Sequence, residues 1–351
     1  MGWLGIEGHD QVARAFATAA DHGRVSGSYL LVGPAGVGKS TFAMALARAL
    51  VCPRPRPGLE PCGACASCVQ AAAGSHPDID VVEKPEDRAT IPLEALIGET
   101  AHRMREGLCW RILLAPTVGA RKVAIIRDAD HLSVEAANCL LKTLEEPPAG
   151  AVILLVGTAL ERQLPTIRSR CQIIRFRPLP ADVVGRVLAR EHAESGDANA
   201  IHAAAAAAGG SLARARLLLD PEVAAFRSRL VELLGRRPVR GVDLAREAIA
   251  LVEAAGKEAP PRRARLRVVL EAAVDFFRAA LRHAVSGETP ADPITARILT
   301  STPCEPERAE AALRVTIDAL SAVDRNANLT ILVDAWTAVL EEPRLETASR
   351  A

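Results

Sequence analysis

Apolar positions in the first half of the chain follow two different spacings. Short continuous apolar runs occur at 29–32, 123–126 and 151–156, each of strand length. Between them, Ala and Leu recur at helical spacing over 41–50 and 132–144, the second segment stopping at Pro147-Pro148. Uninterrupted apolar runs suit strands buried on both faces. Strands and helices alternating in this order predict a parallel sheet with helices packed on its faces. Past residue 178 the strand-length runs vanish. Helices are predicted over 182–193, 198–208 and 212–219; the second ends at Gly209-Gly210, a C-terminal stop, and the third before Asp220-Pro221. From 223 to 340 the period is helical throughout, with breaks at 236–241, 259–261, 286–293 and 301–306. No segment repeats at a fixed period. The expected fold is α/β over 1–178, followed by a small helical lid over 179–222 and an all-α bundle over 223–345.

Composition agrees with this picture. A chain of 351 residues suggests two or three domains at ~150 residues each. Apolar residues make up 49% but aromatics only 3%, so the cores must be built from Ala, Leu, Val and Ile. Lys+Arg number 43 and Asp+Glu 42, a net charge of +1, which excludes a protein that coats nucleic acid by charge alone. The longest strongly apolar run, 151–160, is far short of the ~20 residues of a spanning helix. The N-terminus lacks a basic stretch followed by an apolar one, so no secretory signal is expected. These features lead to the expectation of a soluble, cytoplasmic protein without a membrane partner.

Three clusters carry chemistry. Gly33-Pro34-Ala35-Gly36-Val37-Gly38-Lys39-Ser40 matches G-x-x-x-x-G-K-[ST] between a predicted strand and a predicted helix. Glycines there let backbone N–H groups converge on phosphate oxygens at a helix N-terminus. Lys39 would reach the β- and γ-phosphates and Ser40 would hold Mg²⁺, with Thr41 beside it. Hydrolysis also needs acids at the end of a second strand. After the run 123–126 come Arg127-Asp128-Ala129-Asp130. An arginine stands where a metal-holding carboxylate is expected, and Asp128 follows one place later. The expectation is ATP binding with weak or absent turnover; a one-residue shift of the strand would make Asp128 the metal acid. The third cluster is Cys52-x9-Cys62-x2-Cys65-x2-Cys68, four of the chain's eight cysteines. In a reducing compartment such clustering favours metal over disulfides, and four thiolates form a closed tetrahedral site for structural Zn²⁺. His76 nearby reads as a loop residue and not as a ligand.

A P-loop with a four-cysteine insertion directly after its helix resembles the bacterial DNA polymerase III clamp-loader ATPases of the AAA+ superfamily. Asn138-Cys139-Leu140-Leu141-Lys142-Thr143-Leu144-Glu145-Glu146-Pro147-Pro148 resembles their N-A-L-L-K-T-L-E-E-P-P signature, and Ser169-Arg170-Cys171 their S-R-C motif. The segment 209–214 is similar to their sensor 2 region, and Asn326-Ala327-Asn328 to an N-x-N of their collar domain. The resemblance covers roughly residues 5–342. It implies a zinc insertion at about 52–75. It also implies that Arg170 is an arginine finger acting in trans, that Thr158 lies at sensor 1 and Arg214 at sensor 2, and that Gly8-His9 lines the adenine pocket.

Two kinds of subunit in the family share this layout. Motor subunits (gamma/tau) carry an acidic D-E-x-H second motif and often a long C-terminal extension. Delta prime subunits have D-A-D-like sequences there and end after the collar, which Asp128-Ala129-Asp130 resembles. The resemblance to delta prime implies motor and delta subunits as partners. It also implies a sliding clamp, and primed DNA reached through the assembled complex. An active motor subunit is the alternative. A third reading is an AAA+ scaffold or regulatory protein outside replication.

Overall fold

The computed structural model describes residues 3–85, 88, 90–103, 105–193, 197–290, 292–325 and 327–341. The chain divides into two units, Met1–Glu191 with Gly209–Ala213, and His192–Ala208 with Arg214–Ala351.

The first unit is built on a five-stranded, all-parallel sheet. Its strands are β1 (Gly27–Val32), β2 (Ile79–Val82), β3 (Val123–Ile126), β4 (Val152–Gly157) and β5 (Gln172–Arg175). Their order across the sheet is β2-β3-β4-β1-β5. Both faces are covered, as the uninterrupted apolar runs require. Tyr29 and Leu31 of β1, with Val123, Ile125, Val152 and Leu154, face one core. Leu30, Val32, Ala124, Ile126, Ile153 and Leu155 face the other. The helices of this unit are α1 (Asp10–Asp21), α2 (Lys39–Val51), α3 (Ala66–Ala72), α4 (Leu93–Ile97), α5 (Leu108–Arg111), α6 (Val134–Glu145), α7 (Pro165–Arg168) and α8 (Ala181–Glu191).

β1 lies between β4 and β5, while the next strand in the chain, β2, is at the far edge. Helix α2 must therefore cross over β4 and β3, which makes the carboxyl end of β1 the switch point where such sheets bind ligands. Two of the strands are not evident from apolar runs. β2 is interrupted by Asp80, whose carboxylate pairs with Arg111 at 2.6 Å. β5 is an edge strand with exposed Gln172, Ile173 and Arg175.

The second unit is helical: α9 (Ala198–Ala207), α11 (Pro221–Gly235), α12 (Gly241–Glu253), α13 (Ala259–Ser286), α14 (Pro293–Ser301), α15 (Pro306–Asp324) and α16 (Leu329–Glu341). α10 (Leu212–Leu218) begins in the first unit and continues in the second. Leu230, Leu244, Leu266, Val269, Phe276 and Trp336 form its core. Trp336 is buried and its indole N–H donates to Thr316 Oγ1 at 3.0 Å. Gly235 of α11 packs directly on Ile298 of α14, where no side chain would fit. The prolines at 260–261 do not break a helix; they occupy the first turn of α13, where the missing N–H is not needed. Asn328 caps α16, its Oδ1 accepting from Ile331 N at 3.2 Å, while Asn326 lies outside the described residues. Among the described residues, no helix is long and apolar enough to cross a membrane.

One buried acid holds the loops beneath the sheet together. Asp78 is fully buried, and its carboxylate accepts from the backbone N–H groups of Thr117, Val118 and Gly119 at 2.7–2.8 Å. Lys122, also buried, lies 3.7 Å away. Burial alone would push the Asp78 pKa up; the three N–H donors and Lys122 more than offset it and hold the carboxyl below its ordinary value of 3.8. The ionised form therefore stabilises the fold fully above the unfolded pKa, and that contribution is lost as pH falls through the lowered folded value. Asp78→Ala is expected to cost about 3–5 kcal/mol, because it orphans three donors and a buried ammonium. In chemical denaturation at pH 7 the variant should show this loss, and its deficit against the wild type should shrink below pH 3.8.

Candidate nucleotide and metal sites

The P-loop occupies the turn from β1 into α2. Gly38 precedes α2 with φ 98°, and Gly36 has φ +75°, both in the left-handed region that favours glycine. Neighbouring chain crowds the loop closely. A Cβ on Gly33 would strike the carbonyl of Phe176, whose own N–H donates to Val32 O at 2.7 Å. A Cβ on Gly36 would strike Ser211 Oγ and approach Ala213 Cβ to 2.8 Å. The Gly36 carbonyl also accepts from Leu212 N at 2.9 Å. On its other side His9 is buried and hydrogen-bonded through Nε2 to Val37 O at 2.7 Å, so Nε2 carries the proton. Burial lowers the His9 pKa and keeps the ring neutral. Its edge packs on Phe176 with ring centroids 4.7 Å apart. His9 thus lies against the P-loop, while Gly8 lies against Leu179. Glu7 runs on to α8, bonding Arg186 at 3.1 Å and Arg190 at 2.8 Å.

Lys39 is the first residue of α2 and is buried; its ammonium donates to Gly33 O and Pro34 O, each at 2.6 Å. Burial brings its pKa down to about 8, with Asp130 and Asp128 opposing the shift. The side chain is poised inside the loop with two carboxylates within electrostatic reach. Ser40, half-buried, and Thr41, exposed, follow on the first turn.

The acids at the end of β3 take separate roles. Arg127 N still pairs with Val82 O at 2.8 Å, and its guanidinium turns to Glu83 at 2.9 Å. Asp128 is exposed and left-handed, with φ 52°. Asp130 is the connected acid. Its Oδ2 accepts from Thr158 N at 2.7 Å and Thr158 Oγ1 at 2.6 Å, and its Oδ1 accepts from Gln163 Nε2. A Cβ on Gly157 would come within 2.6 Å of Gln163 Nε2 and 2.8 Å of Asp130 Oδ1, so a side chain there would displace these two groups. Thr158 is therefore joined to the second motif through Asp130. The role of Asp130, and Gln163 altogether, are features of the site that sequence reasoning does not single out.

Arg170 follows α7 and precedes β5. It donates to Thr166 O at 3.1 Å and Ser169 Oγ at 3.2 Å, and pairs with Glu145 at 2.5 Å. Burial pushes the neighbouring Cys171 thiol up to about 12, so it is a packing residue and not a nucleophile. Arg214 belongs to the second unit, where it pairs with Asp275 of α13 at 2.5 Å.

Cys52, Cys62, Cys65 and Cys68 converge, their sulfurs all within 4.8 Å of one another. Cys52 ends α2 and Cys65 caps α3. Cys62 and Cys68 sulfurs are 3.8 Å apart, and four ligands at about 2.3 Å in a tetrahedron give about this separation. N–H groups of Ala64 and Cys65 hold the Cys62 thiol down to about 6, while burial beside the other sulfurs pushes Cys68 up to about 12. Four such groups ionise together only around a cation, so the donor set fits a tetrahedral thiophilic metal. His76 stands outside the cluster. Its Nδ1 accepts from Asp78 N at 3.0 Å and its Nε2 meets Ser67 Oγ at 2.7 Å, with Ser67 in turn donating to Val51 O at 2.9 Å.

A P-loop at the switch point of a parallel sheet, a second motif after β3 and an S-R-C turn before β5 define a P-loop nucleotide-binding domain of the AAA+ type. The family model described as DNA polymerase III, delta subunit matches residues 8–180. The DNA polymerase III subunit delta' of Pseudomonas aeruginosa is 36% identical over 210 residues, covering 58% of this chain and 59% of the relative. That of Escherichia coli is 34% identical over 193 residues, 54% of this chain and 55% of the relative. The DNA polymerase III subunit gamma/tau of Mycobacterium tuberculosis is 34% identical over 259 residues, 71% of this chain and 43% of the relative. Over residues 8–180 the chain matches the DNA polymerase III clamp-loader family of AAA+ proteins. It spans about half the length of these curated relatives, from 43% to 59%.

The crowding at Gly36 makes a local prediction. Gly36→Ala forces an unfavourable φ and pushes the segment at 211–213 off the loop. It is expected to cost about 1–3 kcal/mol, read as a lowered melting temperature. Gly58→Ala, at a position with open space and a similar φ of +80°, should pay only the backbone part of that loss.

Proposed function

We propose that the chain is a delta prime subunit of the DNA polymerase III clamp loader. It would help load a sliding clamp onto primed DNA and supply Arg170 to the ATP site of a neighbouring motor subunit. The observation that carries this reading is the end of β3. The residue directly after the strand is Arg127, turned away to Glu83, and the carboxylate of Asp130 is engaged by Thr158 and Gln163. Such a site binds ATP with Mg²⁺ through Gly33, Gly36, Gly38, Lys39, Ser40 and Thr41 but has no acid directly after β3, where Arg127 stands and Asp128 follows one place later in a left-handed turn. Its own turnover is weak or absent. The relatives named delta' support the assignment.

A motor subunit is the second reading, favoured by the complete P-loop, by Asp128 and Asp130 lying within electrostatic reach of Lys39, and by the gamma/tau relative that covers 71% of this chain. In either case the division into an AAA+ domain over 1–178, a lid over 179–222 and a collar over 223–345 is part of the proposal. So are cytoplasmic placement, the motor and delta subunits as partners, Thr158 and Arg214 as sensors, and Gly8-His9 beside the adenine.

Zinc at the four cysteines is the structural counterpart. The purified chain is expected to hold about one equivalent of zinc by metal analysis. Stripping it with a strong chelator should lower the melting temperature, and zinc content below about half an equivalent contradicts the site.

The finger role is tested in the assembled complex. Arg170→Ala should leave assembly intact and reduce the ATPase of the complex by at least about tenfold, with the ~10³–10⁵ that such a guanidinium contributes in the best cases as the upper bound. Unchanged turnover contradicts the role.

A further inference from the structure

The guanidinium of Arg170 is held by its own chain at three points, and only one of them is a charge. Thr166 O and Ser169 Oγ both belong to the short segment that carries Arg170 and move with it. Glu145 does not. Its carboxylate reaches Arg170 at 2.5 Å from the last residue of α6, a separate helix.

That carboxylate stands where a helix disfavours it. The C-terminal end of a helix carries partial negative charge, so a Glu there is unfavourable unless a cation faces it. Arg170 is that cation. The position of Glu145 is also fixed from below. The preceding residue, Leu144, is buried, and its carbonyl accepts from the buried Ser28 Oγ of β1 at 3.2 Å. Ser28 is on the strand that leads into the P-loop. A continuous path therefore runs from β1 through the end of α6 to the guanidinium. On the other side Ile167, almost fully buried, anchors α7 and hence the backbone that presents Arg170.

Resting on the finger reading above, we propose that Glu145 is a positioning residue for Arg170. It fixes the plane of the guanidinium by holding one edge of the fork, so the finger is preorganised when a neighbouring subunit's nucleotide approaches. An arginine has five N–H donors in a rigid plane, and fixing one edge orients the others. Without the carboxylate, Arg170 keeps only contacts that travel with its own turn. Its side chain then regains rotamer freedom that must be lost again at each engagement.

The test is a double-mutant cycle on the ATPase of the reconstituted clamp loader, with Arg170→Ala, Glu145→Ala, the double variant and Glu145→Gln. Assembly and melting temperature of each variant are checked first. The expected result is a kcat loss of several-fold in Glu145→Ala with KM unchanged. The double variant should be no slower than Arg170→Ala, and Glu145→Gln, which can still accept the hydrogen bond, should recover part of the loss. An Arg170→Ala complex that is slowed while Glu145→Ala is not, or losses that multiply in the double variant, overturns the positioning role and leaves the finger standing. An Arg170→Ala complex with unchanged turnover overturns both.

Discussion

The nucleotide site depends on how closely three distant segments approach one tight turn. Gly33 lies against Phe176, Gly36 against Ser211 and Ala213, and the Val37 carbonyl on His9. None of these contacts leaves room for a side chain at the two glycines. The loop holds its shape because the chain before α1, the chain after β5 and the start of α10 all press on it. A phosphate loop of this kind gains affinity from backbone N–H groups held in place beforehand, and the packing supplies that order.

The same sheet divides the catalytic parts unequally. At its centre, β1 delivers a complete P-loop with a buried Lys39 brought down to about 8. One strand beyond β4, β3 ends in an arginine that pairs with Glu83. Asp130, instead of facing solvent, ties the end of β3 to Thr158 at the end of β4. The proposed function uses these features in this way, with nucleotide held at this site and Arg170 offered to a neighbouring one. The cysteine cluster serves a different purpose. Cys52 closes α2, and Ser67, His76 and Asp78 connect the inserted loop to the chain beneath the sheet. A metal there would fasten the far end of the helix whose near end forms the phosphate site.

Much of this is legible in the sequence, and what is not has a physical reason. β1, β3 and β4 are buried on both faces and therefore stand out as unbroken apolar runs; β2 and β5 do not, because Asp80 interrupts one and the other is an exposed edge. The P-loop and the four cysteines are readable because their chemistry depends on local spacing. The partners of Asp130 lie 28 and 33 residues away, and no spacing rule brings Thr158 and Gln163 to it. The pairing of Glu145 with Arg170 is similarly non-local, although both residues stand in recognisable motifs. His76 stays out of the metal cluster, as its place in the sequence suggests, but its burial between Ser67 and Asp78 follows only from the fold.

The proposed function requires that this chain bind nucleotide without an efficient metal acid to turn it over. The direct measurement pairs calorimetric titration of the isolated chain with Mg²⁺-ATP and a steady-state hydrolysis assay on the same sample, with and without primed DNA. Saturable binding that Lys39→Ala abolishes, with turnover at background in both conditions, is the predicted result. Hydrolysis that primed DNA stimulates and Lys39→Ala removes would contradict the account and make the chain a motor subunit.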